Sequence, residues 1–275
     1  EIEGNENSLF GLEKCCSASE SLFFLMEVLE FLRPRFVKCL GQEYRSKCDE
    51  LYASNRLAIE ELRVLMYDVA ARRVLPRETV LSMVEGLKWD KKELPETYYP
   101  YVTKLLEKVG MASGQIQSLV PAHLHKSVWL SVVDVLMEHL LEALSRVKKC
   151  NGNGRAQMAL DLATLYRGLE QISQDTSGSN RRHILGSFIK AYYFDSAPDF
   201  VSWMESGLAK GGEFFSDSIL ARRHFLSLIT LEKSPLSKLA KKKRNELKTT
   251  VETVWMKAII ARQSESGENE RSGLQ

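Results

Sequence analysis

The chain has 275 residues, 44% hydrophobic and 27% charged, and its 38 Lys and Arg against 36 Asp and Glu leave a formal net charge of +2. This balance excludes wholesale disorder and offers no overall charge for nucleic acid, while the length suffices to bury a core without disulfides or metals. The longest early apolar run, residues 21–26, is stopped by Glu27 far short of the ~20 residues that cross a bilayer; without a basic n-region before an apolar h-region no signal peptide is expected, and the sequence reads as the interior of a longer protein.

Apolar residues at helical spacing predict ten helices and no strand. The first, over 8–32, carries Leu22, Leu25, Met26, Leu29 and Leu32 as a core-facing stripe and ends at Pro34. A long second helix over 43–73 bears Leu51, Leu57, Leu62, Leu65, Met66 and Val69, enough to extend past a compact bundle. Helices over 77–87 and 96–119 flank a loop, 88–92, anchored by Trp89. The clearest stripe runs over 123–149, through Val128, Val132, Leu136, Leu140, Leu144 and Val147. An Asn/Gly corner at 151–154, able to adopt positive φ, reverses the chain into a helix beginning at Arg155. Helices over 155–173, 180–194, 199–208, 216–231 and 235–262 follow, with short loops at 175–180 and 210–212. The tail over 263–275 has one apolar residue and is expected to be disordered. No repeat of 20 to 50 residues indicates a regular solenoid. The fold expected is therefore all-α, an elongated helical bundle or rod, divided into segments 1–150 and 151–262 and the tail 263–275.

Catalytic and cofactor signatures fail on inspection. At 152–154 a Gly-x-Gly begins, but Gln157 stands where a third glycine belongs and a helix, not a strand, precedes it. The glycines at 207–212 are followed by Glu213 and Phe214, where a phosphate loop needs Lys and Ser or Thr. His123, His125 and His139 cannot share an ion, because helical positions 14 apart lie about 21 Å apart, and His139 on the apolar stripe reads as a core histidine. Carboxylates are scattered and nominate no acid–base pair. Five cysteines, including the adjacent Cys15 and Cys16, contain no Cys-x-x-Cys and read as reduced thiols, Cys16 as core. No enzyme, metal or cofactor is expected.

Two charged features remain. Between 233 and 248 stand seven Lys or Arg and one Glu, including Lys238, Lys241, Lys242, Lys243 and Arg244, and extrapolation of the last helix's apolar seam passes through Lys243. A solvated helix face accounts for such a block; the functional alternative is a site for anionic lipid headgroups or an acidic partner. No aromatic residues interleave with the basic ones, which argues against nucleic acid. At the 151–154 corner, Lys148, Lys149 and Arg155 are candidate surface groups, and Cys150 is expected to be buried.

Residues 147–161, together with Phe188-Ile189-Lys190-Ala191-Tyr192-Tyr193 and Trp203, resemble the C-terminal region of the syndetin family, subunits of the endosomal tethering complex EARP. The resemblance extends from about residue 9 to 229, through Gly11-Leu12, Ala18-Ser19-Glu20-Ser21-Leu22, Glu30-Phe31-Leu32-Arg33-Pro34 and Leu87-Lys88-Trp89-Asp90-Lys91-Lys92-Glu93. It implies a CATCHR-type helical-rod tether, related to GARP. This chain would be a non-catalytic C-terminal module for endosomal recycling and retrograde traffic. Its partners would be the other EARP subunits, SNAREs and anionic membrane lipids, with a cytoplasmic location on recycling endosomes and trans-Golgi membranes. The alternative is a peripheral lipid-binding domain using the basic C-terminal helix, which matches nothing in the family pattern.

Overall fold

The computed structural model describes residues 12–173, 182–209 and 218–272, and among these the chain is all-α. Ten α-helices follow in order: α1 (Leu12–Cys39), α2 (Gln42–Val74), α3 (Arg77–Val84), α4 (Pro100–Leu119), α5 (His125–Ser145), α6 (Gly152–Ile172), α7 (Arg182–Ala191), α8 (Ala197–Ala209), α9 (Ser218–Thr230) and α10 (Lys241–Ser272). Short 3-10 turns at Ala122–Leu124 and Leu236–Lys238 precede α5 and α10. The β-type pairing among the described residues is one isolated bridge between Lys149 and Glu232. The expected loops at 175–180 and 210–212, Glu213, Phe214 and the last three residues lie outside the described residues, as do the side chains of Cys15, His224 and the 263–272 part of the tail.

The chain packs as two units that interleave along the sequence. The first comprises the described residues of Glu1–Pro76, Glu107–Val135 and Ile172–Thr176; the second, those of Arg77–Leu106, Leu136–Gln171 and Ser177–Gln275.

In the first unit α1 and α2 form an antiparallel hairpin. Ion pairs Arg33–Asp49 at 2.6 Å and Arg63–Glu20 at 2.5 Å fix its register, Arg63 stacks on the Phe23 ring at 4.6 Å, and the Tyr67 hydroxyl donates to Glu20 at 3.0 Å. Within this unit the buried residues of the two helices are Cys16, Ser19 and Met26 of α1 and Tyr52, Tyr67, Ala70, Ala71 and Val74 of α2. This corrects two expectations. Of the α1 stripe only Met26 is buried, with Leu22 and Leu25 exposed; on α2, Leu51, Leu57, Leu62, Leu65 and Val69 are exposed. Helical spacing identified residues that share a face, but the hairpin closes through neighbouring, more polar faces that carry the cross-helix ion pairs. Nor does Pro34 end α1, which continues to Cys39. Pro34 is exposed and removes only its own bond to the Glu30 carbonyl, so the helix continues past it.

The second unit has a conventional apolar interior. Leu136, Met137, Leu140 and Leu144 of α5 are buried, as is His139, in keeping with the core role expected of it. Phe200, Trp203 and Phe225 stack with centroids 5.6 Å apart in each successive pair, and Phe194 caps the cluster. Against α8 and α9 packs α10, burying Leu247 and Val251.

Candidate functional site

The corner between α5 and α6 is where the second unit brings together most of the buried polar side chains among its described residues, Glu142, Ser145, Arg155, Gln157 and Asp161. The α5 helix stops at Ser145, whose hydroxyl turns back to the Glu142 carbonyl at 2.7 Å. The chain then runs extended beside residues 231–233: Glu232 N–H donates to the Lys148 carbonyl at 2.9 Å, and Cys150 N–H donates to that of Glu232 at 3.2 Å. Lys233 takes a left-handed φ of 67° to complete the turn, and the Tyr192 hydroxyl lies 3.3 Å from the Cys150 carbonyl and 3.1 Å from that of Lys233.

The first turn of α6 opens at Gly152, earlier than expected, because Asn151 caps it. The Asn151 carboxamide oxygen accepts from Gly154 N–H at 2.9 Å and from Lys91 N–H at 3.2 Å, while its amide donates to the Lys91 carbonyl at 2.6 Å. Asn153 adds a bond to the Lys92 carbonyl at 3.1 Å. Positive φ is not what the corner glycines supply; among the described residues that conformation occurs at Gly86 and Lys233. Gly154 is needed for close approach instead: a Cβ there would stand 1.6 Å from the Trp89 carbonyl oxygen. Residues 87–93 and 147–161, read separately in the sequence, are thus two halves of one joint.

Beneath this joint lies a buried polar network, in which Asp161 Oδ2 is left without a hydrogen-bond partner. Lys91 Nζ donates to Gln157 and lies 4.4 Å from the Tyr99 ring centre; Gln157 donates to Asp161 at 2.8 Å and to the Thr97 carbonyl at 2.9 Å. Tyr99 N–H also reaches Asp161, at 2.9 Å. Burial pushes the Asp161 carboxyl up, against the pull of these hydrogen bonds. The network ties the loop after α3 to α6 rather than presenting groups to a substrate.

Arg155 is not a surface group. It is 1% exposed, with its guanidinium 5.1 Å from the Phe188 ring centre and 4.9 Å from that of Tyr192, and one N–H facing Met158 Sδ at 3.3 Å. It shares the inward face of α6 with Met158 and Leu162, three and seven residues on, and burial depresses its pKa. Cys150 is buried as expected, and burial raises its thiol to about 11. Lys148 and Lys149 are exposed; Lys149 lies 3.4 Å from Asp90, whose carboxylate is held below its ordinary range chiefly by Lys233 at 2.7 Å.

Beside the lysines opens a cleft of about 320 Å³ within the second unit. Leu81, Val84, Leu87, Trp89, Ala143 and Val147 give it apolar walls; Arg146, Lys148 and Lys149 against Glu85 make its polar edge cationic. Below Arg146 lies a group that sequence reading missed. The Glu142 carboxylate, with its side chain 2% exposed, accepts from Arg77 at 2.7 Å, Arg146 at 2.8 Å and Arg223 at 2.9 Å. Burial would raise its pKa, but the arginines outweigh it and hold it below the ordinary 4.5. The available signals were a lone acid inside the apolar run Leu140-Leu141-Glu142-Ala143-Leu144 and Arg146 four residues on; the other two partners come from α3 and α9 and carry no local sign.

Lys238, which ends the 3-10 turn, and Lys241, Lys242 and Lys243 at the start of α10 are exposed, and Arg244 is half-buried. The buried seam passes through Arg244, Leu247 and Val251, not through Lys243 as extrapolated, so the stem of Arg244 fills the position where charge seemed to break the stripe. Lys243 instead lines a groove of about 730 Å³ with Pro198, Val201, Glu205 and Leu239. Among the described residues no cluster of three or more His, Cys, Asp or Glu has the arrangement of a metal site, and no helix is long and apolar enough to cross a membrane.

Comparison with known proteins places these features in a family. The family model "Syndetin, C-terminal" matches residues 9–252. Syndetin of Gallus gallus is 28% identical over 204 residues, 72% of this chain and 21% of the relative; syndetins of Mus musculus and Rattus norvegicus are each 26% identical over the same length and shares. The matched region spans about a fifth of the length of these relatives. No solved structure matches. With the family model covering most of its length, including both halves of the α5–α6 joint, the chain belongs to the syndetin C-terminal family.

Proposed function

We propose that the chain is a non-catalytic module of a vesicle-tethering complex subunit, working through protein contacts in endosomal recycling and retrograde traffic. The carrying observation is what the 87–93 and 147–161 segments do: Trp89, Lys91, Asn151, Gly154 and Gln157 are consumed in holding α6 against the preceding loop, and the surface left beside them is an apolar cleft with a cationic edge. Such a surface favours a protein partner with an apolar anchor and acidic flanks. The partners proposed are the other subunits of the EARP tether and SNAREs, on the cytoplasmic face of recycling endosomes and trans-Golgi membranes. The test is affinity capture from cell extract with the wild-type chain and with Lys148→Glu/Lys149→Glu. Loss of tether subunits or SNAREs from the variant supports the reading; equal recovery of both by the two baits, or recovery of neither, overturns it.

The exposed lysines Lys238, just before α10, and Lys241, Lys242 and Lys243 at its start favour a second reading, attachment to anionic lipid. It requires salt-sensitive cosedimentation with phosphatidylserine or phosphoinositide vesicles that Lys241→Glu/Lys242→Glu/Lys243→Glu abolishes. Unchanged sedimentation of that variant removes it.

A further inference from the structure

The α1–α2 hairpin leaves an apolar stripe on each helix largely uncovered, with Leu29, Leu32 and Cys48 half-buried and the other large apolar side chains exposed. On α1, Leu22, Leu25, Leu29, Leu32 and Phe36 alternate at spacings of three and four, the a and d positions of a heptad seam. On α2 the same alternation runs through Tyr44, Cys48 and Leu51, a central Asn55 and Ala58, and then Leu62, Leu65 and Val69. Each seam lies about a third of a turn back from its own helix's buried face, and in an antiparallel hairpin offsets of the same sense put both seams on one side. The exposed large side chains on that side offer roughly 700 Å² of apolar surface, more than the largest patch of most monomers and close to the ~800 Å² that each partner of a standard interface buries.

We infer that this face is covered by a second copy of the same hairpin, running antiparallel, to close a four-helix bundle. The pattern is self-complementary. Reversed about its midpoint, α2 sets Leu51 against the second copy's Leu62, Cys48 against its Leu65 and Tyr44 against its Val69. Reversed about residue 27, α1 sets Leu25 against Leu29 and Leu22 against Leu32, with small Ala18 opposite Phe36. The two midpoints nearly coincide: the Glu20–Arg63 and Arg33–Asp49 pairs place residue 27 beside residues 55–56, about one residue or ~1.5 Å from the midpoint of α2, so one two-fold axis serves both helices. Across that axis the two Asn55 side chains lie about 4.5 Å apart along the helix direction, close enough to pair their amides. At the flank, Lys47 meets Asp68, a carboxylate that also holds Arg72 at 2.7 Å; a parallel arrangement would bring Lys47 to the basic end of α1 at Arg35 instead. This inference rests on the first unit alone and is independent of the tethering proposal.

Sedimentation velocity of the whole chain from 1 to 100 μM is the test. A species of twice 31.3 kDa is expected. Leu51→Glu/Leu65→Glu, at positions 58% and 57% exposed and so compatible with an unchanged fold, should abolish the dimer while leaving helical circular dichroism intact. Lys47→Asp should raise the dimer Kd about tenfold, and Lys47→Asp/Asp68→Lys should restore it, since only the antiparallel register pairs these residues. A chain that stays monomeric at 100 μM overturns the inference and leaves the face to a different protein. Dimerisation that survives Leu51→Glu/Leu65→Glu, or a charge swap that rescues nothing, overturns it as well.

Discussion

Gly154 and Trp89 touch backbone to backbone: the α position of the glycine faces the tryptophan carbonyl so closely that a methyl group in its place would lie 1.6 Å from the oxygen. The contact joins the loop after α3 to the first turn of α6, where Asn151 and Asn153 clamp Lys91 and Lys92. The same glycine cannot be replaced without moving one backbone away from the other, since the obstructing atom is not the end of a flexible side chain.

Gly154→Ala should therefore destabilise the chain by at least ~2–3 kcal/mol, the scale of a forced backbone shift in a packed interior. Gly152, also in the first turn of α6, has nothing within 4 Å of where its Cβ would stand. Gly152→Ala should be neutral or stabilising by a few tenths of a kcal/mol. Urea denaturation of both variants checks this, and equal effects would show that the contact with Trp89 yields easily.

Glu142 predicts a pH dependence. Its pKa in the folded chain lies below the ordinary 4.5, so its stabilisation is fully present above about that value and is lost as pH falls through the lower, folded value. Glu142→Gln should cost about 1–3 kcal/mol at pH 7, discounted because Arg77, Arg146 and Arg223 are each close to half exposed. The variant should also lose part of the wild-type drop in Tm between pH 5 and 3. Parallel Tm curves for the two proteins over that range would contradict the assignment.

Arg155 predicts an unusual ranking of substitutions. Its charge is buried between two rings and above a thioether, with its Nε–H unpartnered. Arg155→Met keeps most of the volume and removes the desolvated charge, so stability should change by less than ~1 kcal/mol or rise. Arg155→Lys keeps the charge without the flat stacking surface and should cost about 2 kcal/mol or more, as should the cavity left by Arg155→Ala. Thermal denaturation of the three variants at pH 7 reads the order; lysine tolerated better than methionine would mean that the charge itself is stabilising.

How far the site could be read in advance depended on how local its interactions are. The burial of Cys150 followed from its place between two helices, and the exposure of Lys148 and Lys149 from charge in a short turn. Arg155 was misread because a charged residue near a helix start is ordinarily solvated, while the rings that bury it come from α7, more than thirty residues away. The Asn/Gly corner carried the right residues with the wrong reason attached: glycine marks either a left-handed turn or a close approach, and only the position of Trp89 distinguishes the two.

The sequence by itself determined that the chain is all-α, that α5 is a core helix along its length, and that its segments belong together as one family. Those properties rest on periodicity and residue identity, which a chain carries before it folds. Tertiary structure alone decided which face of α1 and α2 is buried, which acid gathers three arginines, and which basic residue of α10 enters the seam. A helical stripe records that certain residues point the same way; what covers them is set by residues far along the chain, or on another molecule, and leaves no mark in the spacing.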